Sequence, residues 1–204
     1  MQSLAVCLSA VAGYVDAVGF LATGGFFVSF MSGNSTRFAV GAVETRTTAV
    51  VATGLIAGFL LGVVLGSLCG SLAGRHRRSA VLGLVAMFLS GAALLGSAGE
   101  RSVAIGLVAL AMGAVNATFE QRDGGSVGLT YMTGALARIG QGVAAALLGR
   151  GGREWLSYVA LWGGLIGGAM VGTIVYRHIA MAALWVPAGV TLCLAFAAHL
   201  MRAR

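Results

Sequence analysis

The chain has 204 residues, of which 58% are hydrophobic and 9% are charged, and its mean hydropathy is +0.94. This number of charged side chains is too small to cover the surface of a soluble domain. The composition therefore predicts an integral membrane protein whose partner is the lipid bilayer. The net charge of +7 comes from arginines that stand singly or in short clusters between apolar runs, which indicates orientation in a membrane and argues against nucleic acid as a partner.

The first apolar segment runs from Leu4 to Ala22, close to the roughly 20 residues that a membrane-spanning helix needs. Asp16 lies inside this segment. An acid at that depth costs roughly 2.5–3.5 kcal/mol on insertion scales, which makes it a candidate functional residue. Thr23-Gly-Gly25 then interrupts the segment.

The next segment, 26–43, is of mixed character, with polar residues around Gly33. Non-helical backbone at membrane depth is tolerated only inside protein or beside water, so this segment is predicted to be a re-entrant or broken helix in the protein interior. A second mixed segment covers residues 127–148. Because glycine is favoured where backbone bends, the breaks are expected at Gly33 and Gly134.

Five more apolar stretches predict membrane-spanning helices, at about 48–73, 80–98, 102–119, 155–176 and 179–201. Two of them carry glycines four residues apart, at 54, 58, 62, 66, 70 and 74 and again at 164, 168 and 172. Such a stripe lets another helix approach closely. Its predicted role is packing, and it also leaves room for a homo-oligomer built through the glycine-striped helices.

Motifs of the first half recur about one hundred residues later. Gly113-Ala-Val-Asn116 corresponds to Gly13-Tyr-Val-Asp16, and Tyr131-Met-Thr-Gly134-Ala-Leu-Ala-Arg138 corresponds to Phe30-Met-Ser-Gly33-Asn-Ser-Thr-Arg37. The chain is therefore predicted to be a single membrane domain, 1–204, made of repeat one (1–99) and repeat two (100–204). The second copy has an amide in place of the acid, so the halves cannot contribute equally to a site.

Arginine positions distinguish six spans from eight. If both mixed segments are re-entrant, eight arginines (75, 77, 78, 122, 150, 153, 202 and 204) share the side of the termini and three (46, 101 and 177) lie opposite. If both cross, the split is five against six. The positive-inside rule therefore favours six spans with cytoplasmic termini. Three spans in each half force the repeats into opposite orientations, so the predicted fold is an all-α integral membrane protein of two inverted three-helix repeats.

The residues AGYVDAVGFLATGGFFVSFMSGNSTR (12–37) and AMGAVNATFEQRDGGSVGLTYMTGALARIGQG (111–142) resemble the two signature regions of the YoaK family of bacterial membrane proteins, catalogued as a domain of unknown function. The resemblance spans nearly the whole chain. It implies a multi-pass protein of the bacterial inner membrane, and no established activity comes with it.

The candidate substrate- or ion-binding residues are polar or flexible positions of the duplicated motifs: Asp16, Ser32, Gly33, Asn34, Thr36, Arg37, Asn116, Thr133, Gly134 and Arg138. In one interpretation, Asp16 binds a proton or cation while the arginines hold an anionic group. In the other, an internal Asp16–Arg37 pair and the neighbouring amides only lock the halves together. Both interpretations place Asp16 close to Arg37.

Two functions remain open. The first is a small secondary transporter or permease for a small polar or anionic solute, proton-coupled through Asp16. The second is a non-transporting membrane scaffold or partner subunit. The sequence carries no motif typical of a hydrolase, nucleotide-binding or metal site, so neither enzymatic activity nor a cofactor or metal is expected.

Overall fold

A computed structural model describes residues 2–119, 132–150 and 152–203. Within these ranges all regular structure is helical, which confirms the predicted all-helical architecture. The α-helices are α1 (Gln2–Thr23), α2 (Met31–Glu44), α3 (Arg46–Ala73), α4 (Arg77–Ser97), α5 (Arg101–Val115), α6 (Met132–Leu147), α7 (Trp155–Ile179) and α8 (Trp185–Ala203). Short 3₁₀ turns, Gly74–His76, Asn116–Phe119 and Ala180–Leu184, follow α3, α5 and α7.

Four continuous helical segments of the described chain are long and apolar enough to cross a membrane: Ser3–Thr23, Arg46–Ser97, Arg101–Thr118 and Trp155–Met201. The second contains α3 and α4, and the fourth contains α7 and α8, in each case separated by a 3₁₀ turn. Their length and composition agree with the predicted membrane location.

Helices α1 and α7 pack closely through the glycine stripe of α7. A Cβ added at Gly168 would overlap the Ala10 carbonyl oxygen, and one added at Gly172 would lie 2.5 Å from the Tyr14 carbonyl oxygen. Residue numbers rise together along both helices, so α1 and α7 run parallel. The missing side chains bring the two backbones together, which is the predicted packing role of the stripe.

Helices α3 and α5 repeat this arrangement. A Cβ at Gly62 would overlap the Leu110 carbonyl oxygen, and one at Gly66 would lie 2.7 Å from the Ala114 carbonyl oxygen. Leu110 and Gly62 correspond to Ala10 and Gly168 of the first pair. Each pair joins a helix of one half of the sequence to a helix of the other half, so the two halves interlock.

Helix α4 lies at the centre and runs antiparallel to both α5 and α8. Its residues Val81, Leu82, Val85 and Leu89 are fully buried. Against α8 and the 3₁₀ turn before it, His76 before α4 stacks on His199 with ring centroids 5.0 Å apart, and a Cβ on Gly96 near the end of α4 would lie 2.8 Å from Met181. Against α5 and the 3₁₀ turn after it, Arg77 Nε at the start of α4 donates to the Ala117 carbonyl oxygen at 3.0 Å, and a Cβ on Gly91 would lie 3.3 Å from Leu107.

The predicted breaks at Gly33 and Gly134 are wrong in position, because the helices α2 and α6 run through both residues. The interruption in the first half lies at 24–30, before α2 begins. Gly33 instead makes room for two rings, since a Cβ there would lie 2.6 Å from Phe30 and 3.0 Å from Phe27.

Helix α2 is short. Its 14 residues span about 21 Å at 1.5 Å per residue, less than the roughly 30 Å thickness of a hydrocarbon core. In the second half, residues 120–131, with Arg122 and the start of the second mixed segment, lie outside the described residues.

Candidate functional site around Asp16

The interruption between α1 and α2 is a non-helical loop, 24–30, whose backbone amides are paired in succession. The Gly25 N–H donates to the Phe20 carbonyl oxygen at 2.8 Å, and the Phe26 N–H donates to the Thr23 hydroxyl oxygen at 3.0 Å. The next amides turn to side chains of the flanking helices. Non-helical backbone inside a membrane protein needs such internal partners, because no water is present to replace them.

Asp16 holds the far end of this loop. Its Oδ1 accepts hydrogen bonds from the Val28 and Ser29 N–H groups, each at 2.8 Å, and its Oδ2 accepts one from the Ser29 hydroxyl at 2.9 Å. Hydrogen bonds to a carboxylate are short and stronger than neutral ones. The acid therefore has a structural role that its position in an apolar helix did not reveal.

Asn34 holds the middle of the loop from the first turn of α2. Its side chain is fully buried. Its Oδ1 accepts from the Phe27 N–H at 3.0 Å, and its Nδ2 donates to the Phe27 carbonyl oxygen at 2.5 Å. A carboxamide supplies one acceptor and donors together, so it replaces both partners that a helix would have given Phe27.

The predicted Asp16–Arg37 pair is not formed. Arg37 lies over the Phe26 ring, with its Cζ 4.9 Å from the ring centroid, and its Nη2 reaches the space beside Gly25. Among the described residues, no ion pair joins Asp16 to a cation. The physical reason is that the loop itself supplies donors to the carboxylate, while the guanidinium finds an aromatic face, a favourable partner for arginine.

A cavity of about 530 Å³ between α1 and α7 reaches Asp16. Its lining is otherwise mostly apolar and comprises Gly13, Ala17, Phe20, Leu21, Phe27, Leu165, Ala169 and Thr173. The Asp16 carboxylate and the Thr173 hydroxyl are the polar side-chain groups of this lining. Both carboxylate oxygens of Asp16 already accept hydrogen bonds from the loop.

The other predicted residues of the first motif lie on the exposed side of α2 or within it. Ser32 and Thr36 are exposed, and the Thr36 hydroxyl donates to the Ser32 carbonyl oxygen at 3.2 Å. Both therefore lie on the side of α2 away from the buried Asn34. A bond of this kind within one turn satisfies the hydroxyl in an apolar setting, so it carries no evidence of ligand binding.

The predicted residues of the second motif make their described contacts away from Asp16. Asn116 follows α5 directly and donates from Nδ2 to the Met112 carbonyl oxygen of that helix at 2.9 Å. Thr133 is exposed and Gly134 is half-buried in the first turn of α6. Arg138 lines a different groove, between α6 and α7.

Sequence reasoning missed Thr23 as a loop partner and Thr173 as part of the cavity. Thr23 stands directly before Gly24-Gly25, and a hydroxyl at the end of a helix before a glycine pair is a signal for a capping interaction. Thr173 is an isolated polar residue in an apolar helix. It lines the cavity at Asp16 because α7 packs against α1, and the sequence alone does not indicate that contact.

Residues 4–197 match the family model described as a protein of unknown function, DUF1275. The chain is also similar to the UPF0700 transmembrane protein RA0705 of Rhizobium meliloti (strain 1021), with 40% identity over 196 residues, which cover 96% of this chain and 85% of that protein. No solved structure matches the chain. The resemblance expected from the two motifs is confirmed by these findings.

Proposed function

The chain belongs to the DUF1275 family of transmembrane proteins, and we propose that it is a small secondary transporter of the bacterial inner membrane, in which Asp16 binds a proton or the donor group of a small polar solute. The observation that carries the proposal is an intramembrane carboxylate beside an open cavity, with no ion-pair partner among the described residues. Ionisable groups in such positions mark ion or substrate pathways in membrane proteins.

The helix directions support the six-span inverted repeat. Helices α4 and α8 run antiparallel, whereas a crossing α6 would make them parallel, so α6 is assigned as non-crossing. With α6 fixed, the parallel run of α1 and α7 requires a non-crossing α2. We therefore infer six spans, with both termini on one side. Inverted repeats are typical of secondary transporters, whose sites lie where the repeats meet. The cavity at Asp16 has this position, between α1 of repeat one and α7 of repeat two.

The lining of the cavity narrows the solute class. Among the described residues, the lining contains an acid and a hydroxyl but no arginine, so it offers an anionic solute no cationic partner. A carboxylate in the lining suits a proton, a small cation or a neutral solute with a hydrogen-bond donor.

The alternative function is a non-transporting scaffold or partner subunit. The pairing of five successive loop amides favours it, because the polar residues are then explained by the fold itself. The two functions differ in one measurable respect: a transporter must move protons or solute past Asp16, and a scaffold must not.

The test uses the full-length chain in proteoliposomes that contain a pH-sensitive dye. A panel of cationic and neutral polar solutes is added outside, and proton movement is recorded for wild type, Asp16→Asn and the control Glu44→Gln. Glu44 is an exposed acid at the end of α2, so the control makes the same acid-to-amide change away from the cavity.

We expect solute-dependent proton movement in wild type and Glu44→Gln and its loss in Asp16→Asn, with melting temperatures showing that all three are folded. A folded wild type that moves nothing across the panel would favour the scaffold. Full activity with an unchanged pH response in Asp16→Asn would remove Asp16 from the mechanism.

A further inference from the structure

A second, polar groove of about 410 Å³ lies between α6 and the start of α7. Its charged, amide and aromatic lining residues are Arg138, Gln141, Arg150, Glu154, Trp155 and Tyr158. None of these residues lines the cavity at Asp16. The groove is therefore separate from the proposed transport site.

The groove is shaped by a close contact between its two helices. A Cβ on Gly142 would overlap the side chain of Trp155, so the glycine lets this ring lie directly against α6. Trp155 and Tyr158 are both half-buried and lie one turn apart at the beginning of α7. Aromatic side chains with a polar edge are enriched at the level of the lipid headgroups.

The polar groups suit a phosphate. Two guanidinium groups, from Arg138 and Arg150, face the same groove as the Gln141 amide, and guanidinium is the side chain that best matches phosphate oxygens. Glu154 also lines the groove, so its formal charge is positive by a single unit. That balance suits a singly charged phosphodiester.

The surroundings favour a lipid over a free phosphate. Large apolar side chains are exposed close in sequence to the lining residues: Leu147 at the end of α6 is 84% exposed, Leu148 just after it 69%, and Leu156 in the first turn of α7 46%. We propose that the groove binds the phosphate of an anionic phospholipid such as phosphatidylglycerol, with its acyl chains along these leucines. The headgroup then interacts with the arginines and the interfacial aromatic residues.

The corresponding place in the first repeat lacks these features. Gly41 packs against Thr48 and Ala49, where Gly142 packs against Trp155, and Arg37 is held over Phe26. In the six-span topology the groove of the second repeat lies on the arginine-rich, cytoplasmic side, where basic pockets between helices bind anionic lipid headgroups. In the described part of the chain, the groove is thus present only in the repeat whose α6–α7 connection lies on the cytoplasmic side in this topology.

Native mass spectrometry of the purified full-length chain tests the site with phosphatidylglycerol and phosphatidylcholine of identical acyl chains. The variants are Arg138→Gln/Arg150→Gln, the charge-preserving Arg138→Lys/Arg150→Lys, and the control Arg46→Gln/Arg101→Gln, which removes two exposed arginines outside the groove. Because each basic residue near a headgroup contributes roughly fivefold, the glutamine pair should weaken phosphatidylglycerol binding about thirtyfold.

We expect wild type, the lysine pair and the control to retain phosphatidylglycerol in preference to phosphatidylcholine. If the glutamine pair does not fold, Arg150→Gln alone replaces it, with an expected loss of about fivefold. Equal binding of the two lipids, or equal weakening in the glutamine pair and the control, would overturn the proposal. Displacement of phosphatidylglycerol by millimolar glycerol phosphate would also overturn it, because the ligand would then be a soluble phosphate ester.

Discussion

The interlocked packing of α1 and α7 predicts a large difference between two neighbouring glycines of one helix. A Cβ at Gly168 would overlap the Ala10 carbonyl oxygen, whereas a Cβ at Gly167 meets nothing within 4 Å. Gly168→Ala must therefore separate two backbones by roughly an ångström, and overpacking of this kind costs about 1–3 kcal/mol. Both variants gain the same helix propensity, about 1 kcal/mol, so this gain cancels in the comparison.

The expected difference in stability is near the upper end of that range, about 3 kcal/mol, because a carbonyl on a packed helix cannot rotate away as a side chain does. For a chain of this size, that is a difference of roughly 6–12 °C in melting temperature. Thermal unfolding in detergent, followed by tryptophan fluorescence, measures it. The repeat supplies an independent pair, Gly62→Ala against Gly54→Ala, since Gly62 faces the Leu110 carbonyl and Gly54 meets nothing within 4 Å. Equal melting temperatures within both pairs would refute the packing argument.

Two further predictions concern the loop and the topology. Asn34→Leu leaves the part-buried N–H and carbonyl of Phe27 without their side-chain partner and should destabilise the chain by about 2–6 kcal/mol, whereas Ser35→Ala, on the exposed side of the same helix, should change stability by less than about 0.5 kcal/mol. Equal losses in the two variants would contradict the loop assignment. Single cysteines placed in 44–46 and in 150–153, on a cysteine-free background, should label from opposite sides of the membrane, and labelling of both from one side would contradict the six-span inverted topology.

The helices were predictable because their signals are local. Apolar runs of about twenty residues and a glycine every fourth position fix the length and the smooth face of a membrane helix, so Arg46–Ala73 and Trp155–Ile179 lie close to the predicted 48–73 and 155–176. Which helices meet was not predictable in this way. The α1–α7 and α3–α5 contacts join distant parts of the chain. A stripe of glycines predicts that another helix packs closely, but it does not indicate which helix.

The site was predicted in composition and missed in arrangement. Asp16 and Asn34 were identified because polar groups are costly in a membrane, and both are indeed held in polar contacts. Charge complementarity suggested Arg37 as the partner of the acid. Backbone N–H groups are present at almost every residue, so the sequence does not indicate which of them bind the acid. The Val28 and Ser29 N–H groups became the partners once the chain left the helix at Gly24-Gly25.

Asp16 holds the loop, and this structural role decides how its proposed role in transport has to be tested. Alanine at this position would remove the acceptor of two backbone amides and cost about 2–6 kcal/mol, so a loss of activity would not distinguish chemistry from collapse of the loop. Asparagine keeps one carbonyl oxygen for both amides, and its NH₂ group can donate to the Ser29 hydroxyl oxygen, which reverses the direction of the third hydrogen bond. It therefore resembles the protonated acid in shape and charge while it cannot exchange the proton. A folded Asp16→Asn variant that binds solute but moves no protons would locate the coupling step at this carboxylate.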